Sequence, residues 1–245
     1  MIRRLKLWPI RSPLKGSIGP FPDLSALPGD EAVLNTDTGV LSSVDGSWER
    51  PLGVNNGVFD LENFHLPEGE KLTLAGSVPG CLVSQGDILI EGQLLIEAGS
   101  ISLPPNSNSG LGGSHGTPGA GQPESDTLGN DQLTPLSGGQ SGAGGAAGGG
   151  ALVLAAGGKL AVSGLIYARG ITAPNGTGSG SGGGLRMQAK EAIECTGIIT
   201  AEGGQGPHPG GEGRVYLEAP IIDCPTSPAP KTSVSLPDFD ALPGY

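Results

Sequence analysis

The first residues to weigh are those that could do chemistry. Gly112-Gly-Ser-His-Gly116 has the G-x-S-x-G spacing of a serine nucleophile. That chemistry needs a strand before the serine and a helix after it, and both flanks here are glycine loop. A glycine-rich chain produces the spacing by chance, so no catalytic serine is assigned. Glycoside cleavage needs two carboxylates facing each other across a groove. The acids at outward strand positions are Glu91, Glu97, Glu194, Glu218 and Asp223, and they read as a solvated charged face. His65, His115 and His208 are scattered, with no zinc-ligand spacing and no triad partner. Gly157-Gly-Lys-Leu160 lacks the spacing and the hydroxyl of a phosphate-binding loop, and the G-G-x-G-x-D calcium repeat is absent. Asn175-Gly-Thr177 is a formal glycosylation sequon, with meaning only on a eukaryotic secretory route. No enzyme activity, cofactor or metal is expected.

The elements that would position any site follow from composition. The 245 residues include 46 Gly and 22 Pro, more than a quarter of the chain. Such a fraction normally signals low complexity. Yet 36 % of residues are hydrophobic, and they fall in short runs such as Asp87-Ile-Leu-Ile-Glu-Gly. Short apolar runs between glycine stretches predict strands. No apolar repeat of helical period appears, so almost no helix is expected. Aromatics are only 4 %, which predicts a core of Leu, Ile, Val and Ala.

The net charge is −11. Arg3, Arg4, Lys6, Arg11 and Lys15 crowd the first fifteen residues, and all 24 acids follow them. The acidic bulk repels phosphate, so no nucleic-acid partner is expected. The basic start reads equally as a dock for an acidic surface and as a solvated tail. It lacks the continuous apolar run of a secretory signal. No stretch of about 18 apolar residues exists, so no membrane insertion is expected.

An internal repeat organises the chain. Residues 152–170 align without gaps on residues 185–203 at an offset of 33. A third copy starts at Val215 and runs one residue shorter to Cys224; an earlier, looser copy spans 87–99. Leu152 and Leu154 match Leu185 and Met187, then Val215 and Leu217. Leu160 and Val162 match Ile193 and Cys195, then Ile222 and Cys224. Apolar residues alternate within each copy, the period of a strand with one buried face. Stacked copies form aliphatic columns, because one coil cannot bury its face alone. Val162, Cys195 and Cys224 share a column, so both cysteines read as small buried hydrophobes. A disulfide between them is within geometric reach, but folding in a reducing cytoplasm weighs against it.

Glycine arms separate the copies, at about 104–150, 170–184 and 203–213. They leave and re-enter the coil at equivalent points, which favours arms packed as extended polyproline-II-like helices over flexible loops. Gly121 to Gly129, with Glu124 and Asp126, reads as the mobile tip of the longest arm. Residues 29–52 read as a small β unit, with turns at Asp37-Thr-Gly39 and Asp45-Gly46. Gly57 to Leu74 reads as the first coil, its two strands divided at Pro67-Glu-Gly69. Pro22-Asp-Leu-Ser-Ala-Leu-Pro-Gly29 and Pro237-Asp-Phe-Asp-Ala-Leu-Pro-Gly244 differ only at Leu24/Phe239 and Ser25/Asp240. Such Pro-bounded peptides cannot be central strands, and they read as docking peptides on neighbouring subunits. Arg3, Arg4, Pro22, Leu24, Leu27, Pro237, Phe239 and Leu242 are the assembly candidates. The division is then an extended docking arm over 1–28, the β unit over 29–52, a solenoid over 53–224 and a Pro-rich tail over 225–245.

Asn35-Thr-Asp-Thr-Gly-Val and Asp45-Gly-Ser-Trp48 resemble the N-T-x-T-G…D-G-x-W hairpin of tailed-phage tail-fibre proteins. Gly164-Leu-Ile-Tyr-Ala-Arg-Gly170 and Gly197-Ile-Ile-Thr-Ala-Glu-Gly203 resemble the strands that open into polyglycine in β-helix segments of phage tail adhesins and bacterial surface proteins. That resemblance covers residues 57–224, although the chain is shorter, at about four coils, and carries Pro and acids in its longest arm. It implies an all-β fold, a short right-handed parallel β-solenoid with glycine-rich, polyglycine-II-like arms. It also implies a non-enzymatic virion component, a tail fibre, tail tip or adhesin. Its partners would be other virion proteins and a host surface receptor or glycan. A homotrimer is favoured, since a few coils expose two open ends and an elongated part gains from self-association. His115, Glu124, Asp126, Asn175 and His208 are the receptor-contact candidates. The alternatives are a bacterial cell-surface or matrix solenoid, a capsid decoration or head fibre, and a polysaccharide-cleaving enzyme on the same scaffold.

Overall fold

Alternation at a spacing of two gives each short strand one apolar face, and stacking buries it. The computed structural model describes residues 15–54, 56–96, 146–173 and 178–239, with Leu133, Leu136, Gly138, Gly139 and Gly142 of the longest arm. The described residues are all-β, apart from one short 3-10 turn at Leu24–Ala26.

Strands β1 (Glu31–Asn35), β2 (Val40–Ser43) and β3 (Glu49–Pro51) form an antiparallel meander. The first coil holds β4 (Val58–Leu61), β5 (Phe64–Leu66) and β6 (Lys71–Ala75). The second holds β7 (Gly80–Ser84), β8 (Ile88–Ile90) and β9 (Gln93–Ile96). The third holds β10 (Ala151–Ala156), β11 (Leu160–Val162) and β12 (Leu165–Tyr167). The fourth holds β13 (Gly184–Ala189), β14 (Ile193–Cys195) and β15 (Ile198–Thr200). A last, partial coil holds β16 (Arg214–Glu218) and β17 (Ile222–Asp223), and β18 (Lys231–Ser233) opens a further turn on β16.

Each of the first four coils therefore has three strands, where the sequence suggested two for the first. The extra corner in the first coil falls at Glu62-Asn63. The chain visits three sheets in turn: a six-stranded sheet ordered β18-β16-β13-β10-β7-β4, a five-stranded one ordered β17-β14-β11-β8-β5, and a seven-stranded one ordered β15-β12-β9-β6-β1-β2-β3. Pairing between coils is parallel throughout. This connectivity is compatible with a β-solenoid.

The register follows the repeat. Leu152 pairs Leu185 and Leu185 pairs Val215; Val162 pairs Cys195. The one-residue deletion in the third copy falls at the corner before β17, where Ile193 pairs Ile222. Phe64, Ile88, Leu160 and Ile193 form one inward column, each at most 1 % exposed. Each such buried side chain contributes about 1.5–3 kcal/mol, and stacking repeats the gain in every coil. Gly92, Gly164 and Gly197 make the corner into the seven-stranded sheet. A Cβ on Gly164 would lie 2.0 Å from Gly92 O, and one on Gly197 2.0 Å from Gly164 O. The corners stack backbone on backbone, which explains the glycine that opens each G-x-I-x-A-x-G segment.

The meander is locked to the first coil by its polar residues. Asn35 Oδ1 accepts from the Asp37 and Thr38 N–H groups. Thr36 Oγ1 donates to Val78 O at 3.0 Å, and the Asp37 carboxylate accepts from Ser77 and Val78 N–H. Parallel pairing of β1 with β6 completes the join. In the next turn Asp45 accepts from Ser47 N–H, and Trp48 Nε1 donates to Pro28 O at 2.9 Å. Bonds from the Ser43 and Ser47 side chains and the Ser47 backbone lower the Asp45 pKa from 3.8 to about 2. A carboxyl held lower in the fold supports it above pH 3.8 and loses that support as pH falls through about 2. Trp48 fluorescence titrated with acid should therefore show a step near 2, and Asp45→Asn should abolish it.

Candidate functional site: caps, glycine arms and outer faces

The first coil is closed from below by the segment before the meander. Lys15, Gly16 and Ser17 N–H donate to the Asp60 carboxylate at 3.0–3.2 Å. Ile18 N–H then donates to Asp60 O, Glu62 N–H to Gly19 O, and Phe21 N–H to Asn63 O. Phe21 packs on Phe64 with ring centroids 4.7 Å apart. Asp23 caps the short 3-10 turn and sets Leu24, 2 % exposed, into the core. The arm expected to be extended over residues 1–28 is thus, from Lys15 on, a cap on its own coil, because Phe21 and Leu24 find apolar cover there. Asp60→Ala should lower stability by about 0.5–1.5 kcal/mol by exchanging those N–H···carboxylate bonds for bonds to water, read as a lower denaturation midpoint with faster exchange at Gly16 and Ser17.

The Pro-rich tail closes the other end. Ser227 bridges Thr200, and β18 adds to β16 on the six-stranded sheet. Pro225, Pro228 and Pro230 offer no N–H to a further strand, which blunts the edge. The tail then turns back: Ser235 Oγ donates to Glu218, and Phe239, 5 % exposed, lies under Lys190 Nζ at 5.4 Å from its ring centre. Phe239 joins Val83, Val153, Ala155, Tyr216, Leu133 and Leu136 in a second apolar cluster. Pro22, Leu24, Pro237 and Phe239, read from sequence as assembly residues, are buried within this chain, and Leu27 packs partly against the core. The two similar end peptides therefore both insert their third residue into apolar cover, but at different places. Arg3, Arg4 and Leu242 lie outside the described residues.

Cys195 and Cys224 are bonded, with Cα atoms 4.4 Å apart. The column was legible, but the bond was weighed against on the assumption of a reducing compartment. Neighbouring positions in a parallel ladder bring the two sulfurs together without bending the chain. Cys81 is a buried free thiol, pushed up to about 12 by burial, against a smaller opposite effect of Arg186.

The glycine arms all run from the seven-stranded to the six-stranded sheet, linking β9 to β10, β12 to β13 and β15 to β16. Their described residues bond to one another. Gly139 N–H donates to Gly149 O, Gly149 to Ser181 O, Ile171 to Ala147 O, Gly182 to Gly211 O and Gly204 to Gly180 O, at 2.7–2.9 Å. Ser179 and Ser181 are fully buried between them. Of the receptor-contact candidates, His208 is exposed while its carbonyl accepts from Ser179 N–H at 3.0 Å. His115, Glu124, Asp126 and Asn175 lie outside the described residues.

The outward acids divide. Glu91 pairs with His65 at 2.9 Å, and Glu218 accepts from Gln188 at 2.7 Å. Glu194 and Asp223 are exposed neighbours in the ladder. Glu97 lies outside the described residues. Among the described residues no group of three His, Cys, Asp or Glu is placed to hold a metal, and no helix is long and apolar enough to cross a membrane.

The class these features define is an all-β stack of parallel strands, capped at both ends and carrying bonded glycine arms along one corner. No family model, curated protein or solved structure matches the chain.

Proposed function

We propose that this chain is a non-enzymatic structural or attachment component of a phage virion, a tail fibre, tail tip or adhesin. In this reading it is a short right-handed parallel β-solenoid with polyglycine-II-like arms, it self-associates, and its glycine loops present the surface that meets a host receptor or glycan. The observation that carries the reading is the bonded layer of arms beside the coil, with Ser181, Gly182 and Gly204 N–H and C=O groups paired arm to arm. A layer without side chains is rigid and adds length and surface to a small fold. The locked meander, whose Asn35, Thr36, Asp37, Asp45 and Trp48 are all engaged, supports the likeness to tail-fibre hairpins.

A second reading, an exported bacterial cell-surface protein, is favoured by the Cys195–Cys224 bond, since oxidised pairs persist outside the reducing cytoplasm. An antibody against the purified chain separates the two. Probing density-banded virus particles and washed cell envelopes from the source strain should give signal in the particles. Signal confined to envelopes supports the second reading, and signal in neither overturns both.

A further inference from the structure

Up to Ser227 the Pro-rich tail is tied to the stack. Cys224 is bonded to Cys195, Ser227 N–H donates to Ile199 O, and Ser227 Oγ donates to Glu202. Residues 228–230 then belong to no strand and include Pro228 and Pro230. Beyond them lies a strap, residues 231–239, held at two places. β18 pairs β16 at the edge of the six-stranded sheet, where Ala219 N–H donates to Ser233 O at 3.2 Å. Farther on, Ser235 Oγ donates to Glu218, and Pro237 and Phe239 are buried. The strap's two aliphatic side chains lie in water, Val234 at 75 % exposed and Leu236 at 73 %. Its apolar hold on the sheet therefore rests on the Phe239 plug. The plug's seat is an apolar cluster that includes Val83, Val153, Ala155 and Tyr216, with Lys190 Nζ 5.4 Å from the ring centre. Leu24 also follows Pro-Asp and is 2 % exposed, but in the core of the first coil. One short pattern thus plugs two unrelated seats, so its fit is local to the peptide.

We infer that this seat on the six-stranded sheet is a peptide-binding site, held shut by the chain's own strap, and that the strap of a second copy takes the same seat by exchange. The structure supplies the occupant: an extended peptide with an aromatic side chain two residues after a proline. A second copy brings the identical peptide. Exchange of an identical element repeats contacts that already exist, so it requires no further complementary surface. The Cys195–Cys224 bond and the Ser227 contacts keep the last coil closed while the strap lifts. Residues 228–239, fully extended, span roughly 40 Å, enough to reach a neighbouring chain. The chain's own strap keeps the advantage of attachment. On so short a tether it acts at an effective concentration on the order of millimolar. Dilute chains therefore stay closed, and concentrated chains exchange.

This inference rests on the self-association in the proposed function and names the segment that carries it. Location plays no part in it, so the antibody experiment and this one fail independently.

The test is binding of a fluorescent peptide copying residues 228–245 to the full chain, followed by anisotropy. Wild type should bind it weakly, because its seat is already filled. Phe239→Ala in the chain empties the seat, and the apparent dissociation constant should fall by about tenfold or more. The same peptide carrying Phe239→Ala should bind neither chain. If Phe239→Ala unfolds the chain, wild type carries the test. In a nitrogen-labelled wild-type chain with excess unlabelled peptide, the amide signals of its own Ser233 and Ser235 should move to unstructured positions. Native mass by light scattering then reads exchange between whole chains. Wild type should rise above 24.3 kDa as its concentration nears the millimolar range, and folded Phe239→Ala should stay at 24.3 kDa. Peptide binding that ignores Phe239, equal affinity for wild type and folded Phe239→Ala, strap signals that stay in place under excess peptide, or a wild-type monomer at every concentration would each overturn the inference.

Discussion

Gly182→Ala is expected to lower the thermal midpoint by about 6–12 °C, at 2–4 °C per kcal/mol for a chain of this size. A Cβ on Gly182 would sit 1.7 Å from Ala201 O and 2.6 Å from Gly213 N. Both neighbours are backbone, and both belong to the bonded layer: Gly182 N–H donates to Gly211 O, and Gly213 N–H to Ala201 O. A flexible side chain could swing away, but this layer can yield only by breaking its own bonds. Overpacking of that kind costs about 3 kcal/mol. Gly86→Ala is the matched control, because its Cβ would meet only Glu62 O, at 3.3 Å. Its midpoint should move little. The sign carries the information. In a flexible loop, Gly→Ala removes freedom from the unfolded chain and stabilises by about 0.4–1 kcal/mol. A raised midpoint for Gly182→Ala would mean that the arm is loose.

Breaking the Cys195–Cys224 bond is the other large effect. The residues are 29 apart in sequence, and closing a loop of that length restricts the unfolded chain by about 3–4 kcal/mol in the chain-entropy model. Reduction should lower the midpoint by about 7–14 °C. Cys195→Ala with Cys224→Ala should reach the same midpoint and no longer respond to reductant. The loss falls on the weakest part of the stack: β17 is two residues long, and the tail beyond it is Pro-rich. The released segment carries β18 and Phe239, so Tyr216 beneath them should become accessible first. Cys81 should not react with thiol reagents while the fold holds, since it is buried and its pKa is about 12. An unchanged midpoint under reductant would show that the pair is not bonded in solution.

The stack was legible in the sequence because its information is periodic. Alignment of 152–170 with 185–203 names the ladder partners of β10 to β15 directly, and the shortened third copy places its deletion at a corner. The strand count per coil was less legible. β5, β8 and β11 are only three residues long, too short for alternation to separate them from the strand that follows. The end peptides were readable as a pair but not as caps. Their third residues, Leu24 and Phe239, are apolar in polar surroundings, and sequence alone does not say whether such a residue is covered by its own chain or by another. The disulfide is the clearest miss. The shared column of Cys195 and Cys224 was the sufficient signal, and an assumption about compartment outweighed it.

The central claim is that the glycine arms are a bonded part of the fold. Amide hydrogen exchange at residue resolution tests it most directly. Gly149, Gly170, Gly180, Gly182, Gly183 and Gly204 each donate to a backbone carbonyl, so their amides should exchange as slowly as those of Leu154 and Met187 in the buried strands. Exchange of those glycines at the rate of an unstructured chain, with the strands still protected, would contradict the account.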